Sequence, residues 1–385
     1  MYLAKHFTIN QVRRNNATHG TKLAMKKQFL YFLFLLLISP NYTYAATITL
    51  KGKREFTTST SSRNTIHFVQ TLKLDGEIKN GDSKKIRQIV KKIDAASPFQ
   101  FHILLLLNSK GGSFQEALKL STYIRSRGIG TLIQNKDTCL SACAVAFMAG
   151  TLFEDGSDAL PISFRYINIG AKLGFHRPSL RLNSEGMSGI GNKIKDRLIE
   201  DAYAAASIQM GTFFDELKKN KVATSLGIEM LKSGSDFLMI DTIDKAGRWG
   251  ISISGISFPS YIGPFQAAIA CSNINRWRSD FFVNDNNTQF PVILPSIYST
   301  GEILVRQSKE VQANRKSKFS YMFQPVFQGQ SCGFTKHKND NDFVSYSVEI
   351  YEGQIEIGAS SQGEFTVHPI HFFSPKTKII NLPTK

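Results

Sequence analysis

The chemistry that this sequence can support is concentrated in three short segments. The first contains Gly111 and Gly112, the second has Ser141 at the start of an alanine-rich stretch, and the third ends at His176. A serine hydroxyl is a poor nucleophile until a base removes its proton, and histidine is the most common base. The three segments together predict acyl transfer, with Ser141 as nucleophile and His176 as general base.

Backbone amides of the same segments could bind the oxyanion that forms during acyl transfer. Adjacent glycines at 111 and 112 allow a turn in which a backbone N–H faces the substrate carbonyl. Ser141 at the first turn of a helix meets the positive end of the helix dipole, and the Ala142 amide points to the same place. We therefore predict an oxyanion hole from Gly111, Gly112 and Ala142, in which each donor typically lowers the barrier by about 3 kcal/mol.

Each of these residues also has a purely structural interpretation. Ser141 fits the N-cap position of a helix, where serine is favoured for its side-chain oxygen. His176 fits a structural histidine with satisfied hydrogen bonds, and the two glycines fit a tight turn. The catalytic interpretation gains weight because all three features occur in one chain in a consistent order.

The elements around the glycine pair form one βαβ unit. Residues 101–107 are apolar on both faces, which is typical of a buried parallel strand. Ser113 and Glu116 form a capping-box pattern, Gly128 fits a left-handed helix end, and 129–133 is a second strand. The glycine turn therefore lies between a strand and the helix that crosses to the next strand.

Apolar periodicity predicts three further helices, which cover residues 82–93, 141–150 and 192–219. A strand is predicted to end at His176. From about residue 258 the pattern changes to alternating apolar and polar residues, which indicates strands over 343–357, with a hairpin turn at 352–353, and over 363–373. We predict one domain over 46–257 and a second, mainly β domain over 258–385.

The order and sequences of these segments resemble the Clp protease proteolytic subunit, and still more the exported Clp-like proteins of bacterial envelopes. The resemblance covers roughly residues 64–257 and implies an α/β fold, a ClpP/crotonase-like spiral of βαβ units. It also implies that the glycine turn supplies an oxyanion donor, that the serine attacks and that the histidine is the base. The segments that carry it are Leu107-Asn108-Ser109-Lys110-Gly111-Gly112, Cys139-Leu140-Ser141-Ala142-Cys143-Ala144 and Gly174-Phe175-His176-Arg177-Pro178.

The resemblance also implies an aspartate that orients the histidine. Asp236 lies about one position from the place where the family has this residue, and Asp241 is the competitor. Either carboxylate could instead cap a helix or lie on the surface. A Ser–His dyad and a Ser–Lys dyad with Lys172, as in signal peptide peptidases of the same superfamily, stay open.

The first 45 residues have the composition of a secretory signal peptide. Met25 precedes two lysines, an apolar run covers 29–38, Pro40 ends it, and Thr43 and Ala45 are small residues at the two positions that a signal peptidase reads. The run is shorter than the roughly 20 residues of a membrane span, although an uncleaved anchor is the alternative. We predict translation from Met25 and a soluble mature protein in the periplasm or the medium.

Four cysteines agree with export, since disulfides persist in oxidising compartments. Cys139 and Cys143 flank Ser141, where their disulfide could brace the turn or a thiol could line the pocket. A bridge between Cys271 and Cys332 is the simplest pairing for the others, but the sequence alone does not choose among three pairings. No histidine stands at ligand spacing from either pair, so we predict no metal site.

The net charge of +17 is not concentrated in one motif. Residues 1–45 contribute six lysines and arginines and no acid, and the other basic residues are scattered. We therefore predict a solvated basic surface and no nucleic-acid partner. No nucleotide-binding motif is present, so an ATP-driven partner is not implied, and no cofactor is expected.

The sequence thus predicts a periplasmic serine peptidase that cleaves peptides or proteins without ATP. The alternative is a catalytically inactive envelope protein that uses the same fold for binding or assembly. An acyl-CoA hydratase is disfavoured because its cofactor is cytosolic whereas this chain is exported. Self-association is a further expectation, unless the apolar stripe on helix 192–219 packs on its own domain; that stripe contains Leu198, Ala202, Ala205 and Ile208.

Overall fold

The computed structural model describes residues 46–59, 64–96, 102–153, 161–177, 192–234, 236–278, 320–327, 330–338, 344–352 and 360–383. The predicted leader over 1–45 lies outside these described residues. The fold is mixed α/β with several sheets. Among the described residues, no helix has the length and apolar content that a membrane span requires. The described α-helices are α1 Asp82–Ala96, α2 Phe114–Arg127, α3 Ala142–Phe147, α4 Asn192–Lys219, α5 Ser225–Lys232, α6 Ile243–Arg248 and α7 Pro264–Arg278.

The largest sheet has six strands in the order β1-β2-β3-β4-β8-β11. The first two strands are antiparallel and every later pair is parallel. Helix α2 therefore connects two parallel neighbours, β3 and β4, as the predicted βαβ unit requires. The strands are β1 Thr47–Ser59, β2 Asn64–Asp75, β3 His102–Asn108, β4 Ile129–Ile133, β8 Arg165–Asn168 and β11 Ser252–Ser254.

Two small sheets lie beside the large one. The three-stranded sheet has the order β10-β9-β5, with β5 parallel and β10 antiparallel to β9. This sheet positions the two candidate residues, because Ser141 follows β5 and His176 follows β9. Its strands are β5 Thr138–Leu140, β9 Lys172–Phe175 and β10 Leu238–Met239, and the two-stranded sheet consists of β6 Thr151–Phe153 and β7 Pro161–Ser163.

The apolar run in β3 is explained by burial on both faces. Ile103, Leu105 and Leu107 belong to the main core, which includes helices α1, α2 and α3. The alternate residues Leu104 and Leu106 belong to a smaller core on the opposite face of the sheet. Successive strand residues point to opposite faces, so a strand between two cores is apolar throughout.

Helix α2 begins and ends as its sequence predicts, with one correction. The Ser113 side chain accepts a hydrogen bond from the Glu116 amide at 3.2 Å, and Gly128 has the left-handed conformation. The reciprocal half of the predicted capping box is wrong. The buried Glu116 carboxylate instead accepts from the Ser83 amide at 2.8 Å, which joins α2 to the first turn of α1.

The C-terminal region contains a four-stranded antiparallel sheet that packs against α7. Its apolar residues form a separate core, and a disulfide between Cys271 and Cys332 joins helix to sheet. The predicted strand over 363–373 is only half right, because a 3-10 turn, Pro369–Phe372, follows the last strand. The strands are β12 Tyr321–Phe327, β13 Gln330–Lys338, β14 Val344–Glu352 and β15 Ser360–Thr366.

The C-terminal region also contributes to the main core. Trp277, Ile370, Ile379 and Leu382 are buried there. The described residues all belong to one compact unit by their contacts. The boundary near residue 258 therefore stays a prediction about chain organisation, since side chains from both sides of it share a core.

Candidate functional site

Ser141 occupies the single position at which β5 changes to α3. Strand β5 ends at Leu140 and α3 begins at Ala142, so the turn is made by Ser141, with φ 56° and ψ −122°. A residue other than glycine in such a region is strained by roughly 1–3 kcal/mol and needs support from its surroundings. The Ser141 amide donates to the Gly174 carbonyl at 3.0 Å. Its side chain makes no capping hydrogen bond to α3, so the hydroxyl is not used to hold the helix.

The glycine turn packs directly against this serine. Gly111 and Gly112 have φ values of 112° and 135°, which favour glycine. A Cβ on Gly111 would lie 2.8 Å from the Ser141 Cβ, and a Cβ on Gly112 would lie 2.2 Å from the Ile78 carbonyl oxygen. Both positions therefore require glycine for space as well as for conformation.

The three predicted oxyanion donors differ in whether their amides are free. The Gly111 amide donates to Ser109 Oγ at 3.1 Å, so it is already satisfied. Within the described residues, the amides of Gly112 and Ala142 have no hydrogen-bond acceptor. Ala142 is the first residue of α3, where an amide has no partner inside the helix. Gly112 and Ala142 are the stronger candidates.

His176 comes directly after β9 and is half-buried. Its Nδ1 lies 2.6 Å from the Arg177 carbonyl oxygen. A carbonyl oxygen only accepts, so Nδ1 must carry the proton and Nε2 keeps its lone pair. The Phe237 ring meets the imidazole edge-on, with centroids 4.9 Å apart. His176 is thus held in the tautomer that a general base needs.

Ser141 and His176 line one cavity of about 150 Å³. Both are described residues, and no hydrogen bond joins them in this structure. Gly112 and Ala142 line the same cavity, so the proposed donors and the nucleophile share one space. The rest of the lining consists of one polar residue, Gln209, and five apolar residues. The apolar residues are Phe114, Val145, Phe175, Phe213 and Met230. Apolar cavities of this volume accept groups of benzene size, so this one can hold an apolar side chain.

Among the described residues, neither predicted aspartate forms a hydrogen bond or an ion pair with His176. Asp236 is exposed, and no hydrogen bond from its carboxylate to the imidazole occurs within the described part of the chain. Asp241 instead accepts from Lys245 Nζ at 2.7 Å and from Lys378 Nζ. Burial alone would raise the pKa of Asp241, but these two hydrogen bonds outweigh it and hold the pKa below its ordinary value. Its carboxylate is therefore occupied in a salt bridge.

Lys172, the candidate for a Ser–Lys dyad, is at the start of β9 opposite Thr138. Its side chain is exposed, and it is not among the residues that line the cavity. The cavity residues that the sequence did not single out come mostly from α4 and α5. Gln209 and Phe213 are four residues apart on α4, a spacing that places them on one face, but only the folded chain shows which face meets Ser141.

Comparisons with known proteins give little more than a fold likeness. A scan against protein-family models finds no match, and a search of curated proteins finds none either. Among solved structures, the chain is similar to a mutant of ClpP1 from Listeria monocytogenes, with 12% identity and a TM-score of 0.32. That match covers 48% of this chain and 90% of the other. A likeness this weak leaves the function to be argued from the residues of this chain.

Proposed function

We propose that this chain is a ClpP-like serine peptidase that cleaves peptides or proteins by acyl transfer, without ATP. One observation carries the proposal. Ser141 stands in a strained turn and lines a cavity together with His176 and two residues with free amides, Gly112 and Ala142. Strain of this kind is concentrated at functional sites, where the surroundings hold it in place.

The proposed reaction follows from the positions of these groups. Ser141 Oγ attacks the substrate carbonyl carbon while His176 Nε2 takes the hydroxyl proton. The carbonyl oxygen becomes an anion that accepts hydrogen bonds from the Gly112 and Ala142 amides. His176 then gives its proton to the leaving amine. Water then attacks the carbonyl carbon of the resulting ester while His176 Nε2 takes a proton from it, and His176 returns this proton to Ser141 Oγ as the acid product leaves.

In this proposal the Arg177 carbonyl orients His176. A neutral carbonyl fixes the tautomer, but it stabilises the imidazolium less than a carboxylate does. Asp236 stays the prediction for a third catalytic member, because hydrogen bonds in unliganded sites are often long and tighten only with substrate. If the Arg177 carbonyl orients His176, removing the Asp236 charge should have a small effect on the reaction rate. If Asp236 orients it, the effect should be large.

The proposal also includes a specific fold for each region of the chain and an oxidising compartment as its location. Parallel pairing of β2, β3, β4, β8 and β11 supports a ClpP/crotonase-like spiral over 46–257, and the four-stranded sheet supports a mainly β domain over 258–385. Two buried disulfides fit an oxidising compartment, which supports a periplasmic or secreted protein. Its partners would be peptide or protein substrates and further copies of the chain.

A fluorophosphonate probe tests the proposal directly, because it reacts covalently with activated serine hydroxyls. We expect the wild-type protein to be labelled at Ser141 and Ser141→Ala to show no labelling. Ser126→Ala is the matched control, since Ser126 is exposed on α2 and does not line the cavity. Labelling that persists in Ser141→Ala would refute the assignment.

A second candidate function is envelope binding or assembly without catalysis. Two features of the described residues favour it. The Asp236 carboxylate is exposed, and no hydrogen bond joins Ser141 to His176. This candidate predicts that the probe never labels the folded protein. It also predicts that Ser141→Ala captures the same binding partner from envelope extracts as the wild type does.

A further inference from the structure

A disulfide encloses Ser141. Cys139 in β5 and Cys143 in α3 are bonded to each other, with Cα atoms 5.1 Å apart and a sequence separation of 4. Both side chains are fully buried in the main core. The bridge therefore spans the one point at which the strand changes to a helix, and Ser141 is the residue at that point.

The strand side of this turn is held by hydrogen bonds. The Leu140 amide donates to the Ser109 carbonyl at 3.0 Å, and the Ser141 amide donates to the Gly174 carbonyl. The helix side has less support of its own, because α3 has only six residues. Helices this short are not stable without tertiary contacts. A covalent tie from Cys143 back to Cys139 restrains where the first turn of α3 begins.

The length of the closed loop indicates that this restraint is local. A disulfide lowers the entropy of the unfolded chain more when it closes a longer loop. The Cys271–Cys332 disulfide has a sequence separation of 61, against 4 for Cys139–Cys143. The longer bridge should thus contribute more to global stability, and the shorter one mainly to the conformation of residues 139–143.

We propose that the Cys139–Cys143 disulfide is a positioning element for the nucleophile. It holds Ser141 at its positive φ, so that the hydroxyl and the Ala142 amide both lie at the cavity. Neither cysteine is among the residues that line the cavity, so the disulfide acts through Ser141. The catalytic part of this inference rests on the proposed peptidase function, whereas the conformational part does not.

A comparison of the two disulfides in the full chain tests the inference. Cys139→Ala/Cys143→Ala removes the short bridge, and Cys271→Ala/Cys332→Ala is the matched control. We expect the first variant to react with a fluorophosphonate at least about tenfold more slowly, with a smaller drop in Tm than the control shows. The control should keep the wild-type labelling rate. Hydrogen exchange should become faster across residues 138–148 only in the first variant.

A second variant, Cys139→Val/Cys143→Ala, separates positioning from packing. Valine suits a strand and restores apolar volume in the core, so this variant guards against loss of folding. Slow labelling at a restored Tm supports the inference, and a restored labelling rate overturns it. Unchanged hydrogen exchange across 138–148 in the first variant also overturns it. If the wild type is not labelled at all, the peptidase function fails, and the exchange measurement alone decides the positioning role.

Discussion

At the scale of single residues, the candidate site depends on backbone groups as much as on side chains. The Gly112 and Ala142 amides have no acceptor in the described part of the chain, and the Arg177 carbonyl fixes the tautomer of His176. The turn that places Gly112 tolerates no side chain, because the Ile78 backbone lies too close. Substitution at Gly112 should therefore damage the site directly.

Gly112→Ala should reduce the labelling rate of Ser141 by about 100-fold or more, in line with the loss of an oxyanion donor. The new Cβ would approach the Ile78 carbonyl oxygen to 2.2 Å, so the turn must move. Gly81→Ala is the matched control. Gly81 also has positive φ, but its Cβ would meet no atom within 4 Å, and Gly81 does not line the cavity. Equal labelling rates in the two variants would contradict the role of Gly112.

The orientation of His176 predicts unequal effects of two substitutions. His176→Ala should lower the labelling rate by roughly 10²–10⁴-fold, since it removes the base. Asp236→Asn should lower it less than about tenfold if the Arg177 carbonyl orients the imidazole. A loss in Asp236→Asn as large as that in His176→Ala would show that the aspartate is the third catalytic member.

Sequence patterns single out the proposed nucleophile, the proposed base and the glycine turn, because these roles would require particular residue types. They do not identify the Nδ1 partner of His176, since every residue has a carbonyl and none is distinguished by type. They also do not identify Gln209 or Met230, which helices distant in sequence bring to the cavity. The difference between Gly111 and Gly112 likewise depends on the Ser109 hydroxyl, which only the folded turn reveals.

At the scale of elements, helix α4 is fixed at one end. Glu216 is buried near its C-terminus and accepts from Ser121 Oγ at 2.9 Å, Arg125 at 3.0 Å and Lys219 at 3.1 Å. Burial alone would raise the pKa of Glu216, but these hydrogen bonds outweigh it and hold the pKa below its ordinary value. The ionised carboxylate thus joins α4 to α2, and it supports the part of α4 that carries Phe213.

Glu216→Gln should lower the free energy of unfolding by about 2 kcal/mol at pH 7, because hydrogen bonds to a charged group are lost. A depressed pKa contributes stability above the ordinary value of 4.5, and this is lost as pH falls through the folded pKa. The difference in the free energy of unfolding between Glu216→Gln and the wild type should therefore be smaller at pH 3 than at pH 7. Glu229→Gln removes a surface pair with Lys232 and should cost below about 1 kcal/mol. Urea unfolding at both pH values checks this, and a difference that grows in acid would contradict it.

The N-terminal turns of α4 lie away from the core and expose large apolar side chains. The predicted stripe is partly exposed, with Leu198 at 38% and Ile208 at 70%. Ala202 and Ala205 in the same stripe are half-buried. Other exposed apolar residues on this helix are Ile194, Ile199 and Tyr203. Apolar groups gathered on one helix favour association, because water contact with large apolar patches is unfavourable.

We therefore expect the leaderless protein to self-associate through α4 at micromolar concentration. Leu198→Lys/Ile208→Lys should reduce the molar mass measured by light scattering to that of a monomer, because the charges would have to be buried in the interface. Ser207→Lys places one lysine on an exposed polar position of α4 and serves as the control for an added positive charge. A wild type that is monomeric throughout the concentration range would contradict the expectation.

At the scale of the whole molecule, local signals predict four of the seven described α-helices, α1 to α4, and the strands on either side of α2, whereas long-range pairing decides the architecture. Helix α4 has the predicted bounds, Asn192–Lys219, and the βαβ order around Gly111 is found. The separate sheet of β5, β9 and β10 was not foreseen, because two- to four-residue strands pair across long stretches of chain. The 3-10 turn at Pro369 replaced a predicted strand, since proline cannot donate to a ladder.

The pairing of residues 375–379 with the segment after β10 has a consequence for when the site is completed. The Ile243 and Asp244 amides donate to the Thr377 and Pro375 carbonyls, and the Ile379 amide donates to the Asp241 carbonyl. Strand β10, immediately before this segment, pairs with β9 beside His176. A chain emerging from a ribosome or a translocon must therefore release residues 375–379 before this support forms.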